Sequence, residues 1–253
     1  MVTLAAVQEA LHRLYIGAPG GSLRKEDRKK SSELVGLLAE IEHVLAGTKS
    51  SRPIHFVDAA AGKAYVGLLA AEFLLAPRPS RSRVTMIERE PGRAAACRQA
   101  MVQVRAPQVD FTVVEADVAD AVAWPGEPDV VVALHACGPA ADTIAERAVA
   151  SRARHILIVP CCTSEAVAAV ALASRQAEAL GLPRHAEVRR RFIQAMVDAE
   201  RTLRLEAAGY QTNVVAFVAP TQTPHNLLWR ARRVEEPVRM ADAARRLQRF
   251  RAM

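Results

Sequence analysis

From Ile54 onward, short apolar runs alternate with alanine-rich stretches, and this alternation constrains the fold more than any other feature of the sequence. Five apolar runs occupy 54–58, 83–88, 110–117, 129–135 and 155–160. The alanine-rich segments that separate or follow them span 63–76, 91–105, 139–152 and 164–181. Strands that alternate with helical crossovers are typical of parallel sheets, so this order predicts an α/β fold with a doubly wound sheet.

Two further apolar runs, at 212–220 and 226–234, are separated by only a short loop. Strands joined this closely are antiparallel, because a parallel connection needs a dozen or more residues. The chain therefore predicts a seven-stranded, mostly parallel sheet that ends in a C-terminal antiparallel hairpin. A nicotinamide-binding Rossmann fold usually ends in another parallel unit, whereas the Rossmann-like fold of class I S-adenosylmethionine (SAM) methyltransferases ends in such a hairpin.

The composition favours a cytoplasmic protein without a membrane partner. The N-terminal segment lacks the basic region and apolar core of a secretory signal peptide. No window holds the roughly 18 uncharged apolar residues that a membrane span needs. The four cysteines are unevenly spaced and predict reduced thiols rather than a disulfide framework.

Acidic residues close the first three predicted strands, at the sheet edge where open α/β folds bind their ligands. Asp58 ends the first strand and leads into a turn of small residues that includes Ala60 and Gly62. Small residues let the backbone approach a ligand, and the following helix N-terminus can hydrogen-bond its polar groups. Glu88 ends the second strand and can accept both hydroxyls of a ribose, and Asp117 can accept from an adenine amino group.

These residues resemble motifs I to III of class I SAM-dependent methyltransferases. The matching segments are DAAAGKAYVG, IERE and EADVAD. The resemblance implies that the cofactor is SAM and that it binds to Asp58, Ala60, Gly62, Glu88 and Asp117. The usual first motif reads acidic-x-Gly-x-Gly-x-Gly, whereas Ala60 and Ala64 stand here at the first and third glycines. Alanine predicts ordinary negative φ angles at both positions.

A second pair of motifs follows the fourth and fifth predicted strands. His135, Cys137 and Gly138 belong to LHACG, and Cys161 and Cys162 belong to VPCC. With the flanking segments RKKSSELVGLLAEI and TPHNLL, they resemble a methyltransferase subgroup that pairs H-x-C-G with Pro-Cys-Cys. That subgroup includes transfer-RNA ribose 2′-O-methyltransferases and glutathione-S-transferase-C-terminal-domain-containing proteins.

Because the fourth and fifth strands are neighbours in this fold, the histidine and three cysteines should gather at one rim of the cofactor crevice. His135 is the expected catalytic residue, as a group that orients the acceptor or as a general base. A histidine that only satisfies a backbone carbonyl is the alternative. Cys137, Gly138, Cys161 and Cys162 are expected to form the walls of the substrate pocket. A zinc site, a vicinal redox disulfide and a methyl-carrying thiolate are further alternatives, but we expect no metal.

The ends of the chain are basic, whereas its middle is nearly neutral. Residues 1–30 hold six basic and three acidic side chains, and residues 230–253 hold eight basic and three acidic ones. This pattern suits a polyanionic partner such as RNA, and solvated surface charge explains it equally well.

We expect a helical extension over 1–50, with a helix capped by Ser31 or Ser32. A SAM-dependent methyltransferase domain is expected over 51–234, and a basic helix or tail over 235–253. The expected acceptor is RNA, at a ribose hydroxyl or a base nitrogen. A protein or small-molecule acceptor is the alternative, as is a SAM- or RNA-binding module without turnover.

Overall fold

The apolar runs form the strands of one seven-stranded sheet in the computed structural model, which describes residues 2–17, 22–160, 164–223 and 226–253. The strands are β1 (His55–Ala59), β2 (Ser82–Glu88), β3 (Val109–Glu115), β4 (Val130–Leu134), β5 (His155–Val159), β6 (Tyr210–Ala216) and β7 (Leu227–Arg233). Their order is β3-β2-β1-β4-β5-β7-β6. The first five strands are parallel, and β7 is antiparallel to both of its neighbours. The predicted sheet and its C-terminal hairpin are confirmed.

Helices cover both faces of the sheet. They are α1 (Leu4–Tyr15), α2 (Lys25–Ala46), α3 (Tyr65–Ala70), α4 (Pro91–Met101), α5 (Pro139–Ala150), α6 (Ala168–Ala179), α7 (Glu187–Ala207) and α8 (Pro237–Arg251). Helix α3 continues directly into a π-helical turn, Ala71–Leu75. The apolar faces of α1 to α4 pack on one side of the sheet, and α5 and α7 pack on the other. None of the helices in the described ranges combines the length and the apolar composition needed to cross a bilayer.

Helix α2 begins earlier than the sequence predicts. It starts at Lys25 rather than at a serine cap, because the straight-chain residues before Ser31 favour the helix and contain no breaker. Glu26 and Asp27 lie in its first turn, where negative charge is favourable. Ser31 does not cap the helix, and its hydroxyl donates to the Asp27 carbonyl at 2.8 Å.

The apolar face of α2 is the one that the sequence predicts. Its buried apolar residues are Leu34, Leu37, Leu38, Ile41, Val44 and Leu45. Gly36 fixes the helix against the segment after β6, since a Cβ atom there would lie 2.3 Å from the Phe217 carbonyl oxygen. With 22 residues, α2 is about 33 Å long, so it reaches from one edge of the sheet to the other.

Ion pairs hold α8 to α7, on the face of the sheet opposite to α2. Arg201 of α7 is buried and lies 2.9 Å from Asp142 of α5 and 3.3 Å from Asp198. Arg251 of α8 lies 2.5 Å from Glu200 of α7. The two basic ends of the chain therefore pack on different faces of the sheet, α2 on one and α8 on the other.

Candidate functional site

The turn after β1 adopts the backbone of a glycine-rich loop although it contains one glycine. Ala60, Gly62 and Ala64 have φ angles of 56°, 60° and 61°. The expectation of negative φ angles at the two alanines is therefore wrong. Backbone hydrogen bonds hold the turn in this form, from Ala61 N to the Ile87 oxygen (3.0 Å) and from Ala64 N to the Ala61 oxygen (2.7 Å). A left-handed conformation costs an alanine about 1–2 kcal/mol, so this turn is strained.

Asp58 is buried at the end of β1 and caps the helix that follows the turn. Its Oδ2 atom accepts from the Gly67 N–H at 2.8 Å, in the first turn of α3, where the N-cap residue Ala64 has no side-chain oxygen. Gly67 permits this approach, because a Cβ atom there would lie 3.1 Å from Asp58 Oδ2. Burial raises the pKa of Asp58 to about 7, against the opposing effects of the Gly67 N–H and of Lys30.

Glu88 ties the end of β2 to the turn. Its Oε2 atom accepts from the Gly62 N–H at 2.7 Å, and its Oε1 atom accepts from the Glu90 N–H at 2.9 Å. Each carboxylate oxygen has two lone pairs, so each can still accept one further hydrogen bond. The side chain is 4 % exposed, so access to it depends on the turn beside it.

Asp117 lies at the same sheet edge but is largely exposed. The Ala116 N–H donates to the Glu88 carbonyl at 3.1 Å, which brings the end of β3 beside β2. The Ala119 N–H donates to Asp117 Oδ1 at 2.9 Å, and Arg89 lies 3.3 Å from Oδ2. The Ala119 N–H, followed by Arg89, lowers the pKa of Asp117, which is therefore a carboxylate at neutral pH.

The turn has room for a ligand at Gly62. A Cβ atom built on this residue would meet no other atom within 4 Å. Cys97 of α4 donates its Sγ hydrogen to the Gly62 carbonyl at 3.2 Å and supports the turn from within the core. Burial raises the pKa of the Cys97 thiol to about 12, so it is a neutral packing group rather than a nucleophile. Open space beside left-handed backbone and acidic strand ends fits the adenosyl and methionyl groups of SAM.

His135 follows β4 at the same sheet edge and pairs with a residue that sequence reasoning missed. Its Nε2 atom lies 2.7 Å from Oε2 of Glu33, on α2. The Glu33 side chain is 7 % exposed and that of His135 is 28 % exposed. His135 has a φ angle of 60°, so the backbone itself directs this ring. The available signal was the position of Glu33 on the apolar face of α2, four residues before Leu37.

The first turns of α2 cover the rim of this crevice. The Lys30 ammonium lies 5.0 Å from the centre of the Tyr65 ring, and the Tyr65 hydroxyl donates to Asp27 Oδ1 at 3.2 Å. Burial lowers the pKa of Lys30, and the carboxylates of Glu33 and Asp58 oppose that shift. Lys30 therefore lies within electrostatic range of the Glu33 and Asp58 carboxyl groups.

The loop after β4 meets the segment after β5. Gly138 is the N-cap of α5 at φ 57°, and a Cβ atom there would lie 2.9 Å from Ser164 Oγ, so the position requires glycine. Cys137 is exposed and disulfide-bonded, so the expectation of a reduced thiol is wrong at this position. Cys161 and Cys162, the other two predicted pocket residues, lie outside the described residues. Among the residues that are described, no three His, Cys, Asp or Glu side chains are grouped as metal ligands.

A family model described as a methyltransferase domain matches residues 29–169, more than half of the chain. The chain belongs to this family. The match covers α2, the turn after β1, the ends of β2 and β3, and the His135 loop. The predictions of a Rossmann-like methyltransferase fold, of a SAM-dependent methyltransferase and of SAM as its cofactor are confirmed. No curated protein sequence matches the chain.

Several solved methyltransferase structures are similar to this chain at low sequence identity. The carbon methyltransferase CurJ is 13% identical with a TM-score of 0.52, over 92% of this chain and 58% of its own. Magnesium protoporphyrin IX methyltransferase from Synechocystis PCC 6803, solved with bound SAH, is 14% identical with a TM-score of 0.49, over 89% of this chain and 93% of its own. The M. capricolum protein TrmK, solved with SAH, is 7% identical with a TM-score of 0.43, over 77% and 66%.

Proposed function

We propose that this protein transfers the methyl group of SAM to RNA, at a ribose hydroxyl or a base nitrogen. The observation that carries the proposal is the His135–Glu33 pair at the rim of the crevice. A buried carboxylate that holds a half-buried histidine beside a cofactor crevice suits an acceptor that must lose a proton.

In this proposal, SAM binds against the turn after β1. Gly62 and Ala60 let the backbone approach it, Glu88 accepts from the ribose hydroxyls, and Asp117 accepts from the adenine amino group. Asp58 and Lys30 lie toward the charged methionyl end, where a carboxylate and an ammonium complement the ligand's amino and carboxylate groups. When bound, SAM supplies an electrophilic methyl group on a sulfonium.

The histidine and the glutamate handle the acceptor proton. If His135 Nε2–H donates to the Glu33 carboxylate, the Nδ1 atom carries the free lone pair that can accept a proton. Nδ1 would take the proton that the acceptor oxygen or nitrogen loses on methylation. Glu33 then balances the positive imidazolium. Placement of the acceptor in line with the methyl group accounts for much of the remaining rate.

Basic residues at the start of α2 support RNA as the acceptor. Lys25, Arg28 and Lys29 are exposed on its first turns. Lys29 precedes Glu33 by four residues, slightly more than one helical turn and about 6 Å along the axis. A phosphate backbone held on these turns would therefore lie beside the crevice. The basic residues of α8 lie on the opposite face of the sheet, so we assign RNA binding near the crevice to α2 alone.

Transfer of tritiated methyl groups from SAM tests the acceptor. We expect label in total RNA incubated with the protein, and none in a protein extract or a small-molecule fraction. The Lys29→Gln variant should raise the KM for RNA while leaving the affinity for SAM unchanged. Label found only in protein or in small molecules would exclude the RNA acceptor.

Calorimetry separates a methyltransferase from a module without turnover. Binding of SAM and SAH together with label transfer supports the enzyme. Binding of SAM without transfer to any fraction would leave only a binding module, and binding of neither compound would overturn the assignment of the crevice.

A further inference from the structure

A second polar pocket lies at the sheet edge opposite the cofactor crevice. It has a volume of about 230 Å³, and we call it the distal pocket. Its polar lining consists of His43 of α2, His155 of β5, Gln211 and Asn213 of β6, and Arg230 and Arg232 of β7. The C-terminal turns of α2 cover it, whereas the N-terminal turns of the same helix reach the crevice.

Strand register brings these side chains to one face. His155 pairs with Arg232 across β5 and β7, and Gln211 pairs with Arg232 across β7 and β6. Asn213 pairs with Arg230 two residues further along the same two strands, which gives a second row. Side chains two residues apart on a strand share a face. The row of His155, Arg232 and Gln211 and the row of Arg230 and Asn213 therefore point to the same side of the sheet. The pocket is therefore built by the sheet, not by a loop.

The distal pocket holds uncompensated positive charge. Arg230 is neutralised by Glu40 of α2, whose Oε2 atom lies 2.8 Å from its Nη1 atom. Arg232 donates from Nη2 to the neutral Gln211 amide oxygen at 2.9 Å. Within the described part of the chain, Arg232 pairs with no carboxylate, and the lining residues include no acidic side chain.

His155 adds a buried imidazole to the lining of the distal pocket. The residue is 8 % exposed, and its Nδ1 atom has no hydrogen-bond partner among the described residues. Burial, followed by the charges of Arg154 and Arg232, lowers the pKa of His155 to about 4. The two arginine charges outweigh the opposing effect of the Asp129 carboxylate on this pKa, which indicates a positive potential at the ring.

We propose that the distal pocket binds a phosphate group. An arginine fork without a carboxylate partner matches phosphate oxygens, and the two amides and the histidine rings add further hydrogen-bond donors. The volume is below the range of pockets that enclose drug-sized ligands, so the pocket holds the phosphate and not the remainder of a nucleotide. A cation finds no negative lining residue there.

The distal pocket is too far from the cofactor crevice to take part in methyl transfer. The five residues of β5 that separate the two sheet edges span about 17 Å, which is too far for a phosphate here to contact the methyl group directly. A phosphate ester or the phosphate of a nucleic-acid backbone could both supply the ligand. Binding to the distal pocket is measured without SAM, so its failure says nothing about the methyltransferase assignment.

Isothermal titration of the full chain with sodium phosphate at low ionic strength tests the proposal. We expect one phosphate to bind per chain, and Arg232→Gln to weaken that binding at least about tenfold, since a charge-assisted hydrogen bond is lost. Arg232 is exposed, so the variant should fold, as a thermal melt can verify. Arg249→Gln on α8 is the control, because it removes an exposed arginine on the other face. No phosphate binding, or equal affinities of wild type and Arg232→Gln, would overturn the proposal.

Competition identifies the source of the phosphate. A nucleoside 5′-monophosphate and a short RNA without terminal phosphates are titrated separately against bound phosphate. Displacement by the monophosphate alone assigns the pocket to a phosphate ester, and displacement by both extends it to a nucleic-acid backbone. The Arg232→Gln variant is the reference for specific binding. If neither the monophosphate nor the RNA displaces bound phosphate, the distal pocket does not recognise phosphate esters.

Discussion

Glu33 and His135 are 102 residues apart in sequence, and their side chains meet at 2.7 Å at the rim of the cofactor crevice. One lies on the N-terminal helix α2 and the other follows β4 with a left-handed backbone. The helix that packs on the sheet through its apolar face thus also supplies a buried carboxylate to the candidate site. This pairing makes α2 part of the site and leads to the first two predictions.

Replacing Glu33 by glutamine should lower kcat while leaving the affinity for SAM unchanged. Glutamine keeps the size of the side chain but removes the charge that holds the His135 ring and balances its protonated form. Loss of a charged hydrogen bond corresponds to a decrease of about tenfold to a hundredfold. Initial rates and SAM titrations measure both quantities. Glu26→Gln, at an exposed position in the same helix, is the matched control, and an equal loss in both variants would contradict a positioning role for Glu33.

Replacing His135 by asparagine should lower kcat by about 10²- to 10⁴-fold if the ring accepts the acceptor proton. Asparagine tolerates the left-handed conformation better than most residues, so the loop should keep its shape. Binding of SAM should persist, because the residues assigned to the cofactor lie in other loops. Single-turnover methyl transfer with saturating SAM gives the rate. A wild-type rate for His135→Asn would assign the histidine to structure alone.

The strands and their succession along the chain could be predicted from the sequence, because each strand is an apolar run with a clear end. Val130–Leu134, for example, reads as a continuous apolar run, which is typical of a parallel strand that is buried on both faces. The antiparallel hairpin followed from loop length alone. The start of α2 was misplaced, because Ser31 resembles a cap while Lys25 and its neighbours favour the helix equally well.

The candidate site was predicted only in part, because strand ends are visible in sequence and contacts across the fold are not. Asp58, Glu88 and His135 each follow an apolar run, and the structure brings all three to one sheet edge. Glu33 could be identified only as a charge on an apolar helix face, and nothing local connects it to His135. The φ angle of Ala60 follows from hydrogen bonds to β2, which a residue preference cannot reveal.

Replacing Ala60 by glycine should leave the protein as stable as wild type or more stable by up to about 1.5 kcal/mol. Relief of the left-handed strain, about 1–2 kcal/mol, exceeds the entropy that glycine loses on folding, about 0.5–1 kcal/mol. Ala95→Gly is the matched control, because Ala95 is exposed within α4. There the same substitution should lower the free energy of unfolding by about 1 kcal/mol. Urea denaturation compares them, and similar losses in both variants would show that the turn is not strained.

Replacing Asp58 by asparagine should stabilise the protein relative to wild type as the pH rises. In the unfolded chain this carboxyl titrates near its ordinary pKa of about 3.9, and in the folded protein burial raises that pKa to about 7. The folded state therefore binds the proton more tightly, and Asp58 lowers the free energy of unfolding as the pH rises from about 4 to about 7. Asparagine cannot ionise, and its amide oxygen can still accept from the Gly67 N–H.

The difference in unfolding free energy between Asp58→Asn and wild type, measured in urea across this window, isolates Asp58 from other titrating groups such as His155. It should increase with pH up to about 7 and then level off. Asp117→Asn is the control of opposite sign, because the pKa of Asp117 is lowered in the folded protein. Its stabilising effect is present above the ordinary pKa of about 3.9 and is lost only as the pH falls below it, so that difference should be flat from about pH 5 upward. Parallel stability curves for Asp58→Asn and wild type between about pH 5 and 7 would show that folding does not raise the pKa of the Asp58 carboxyl.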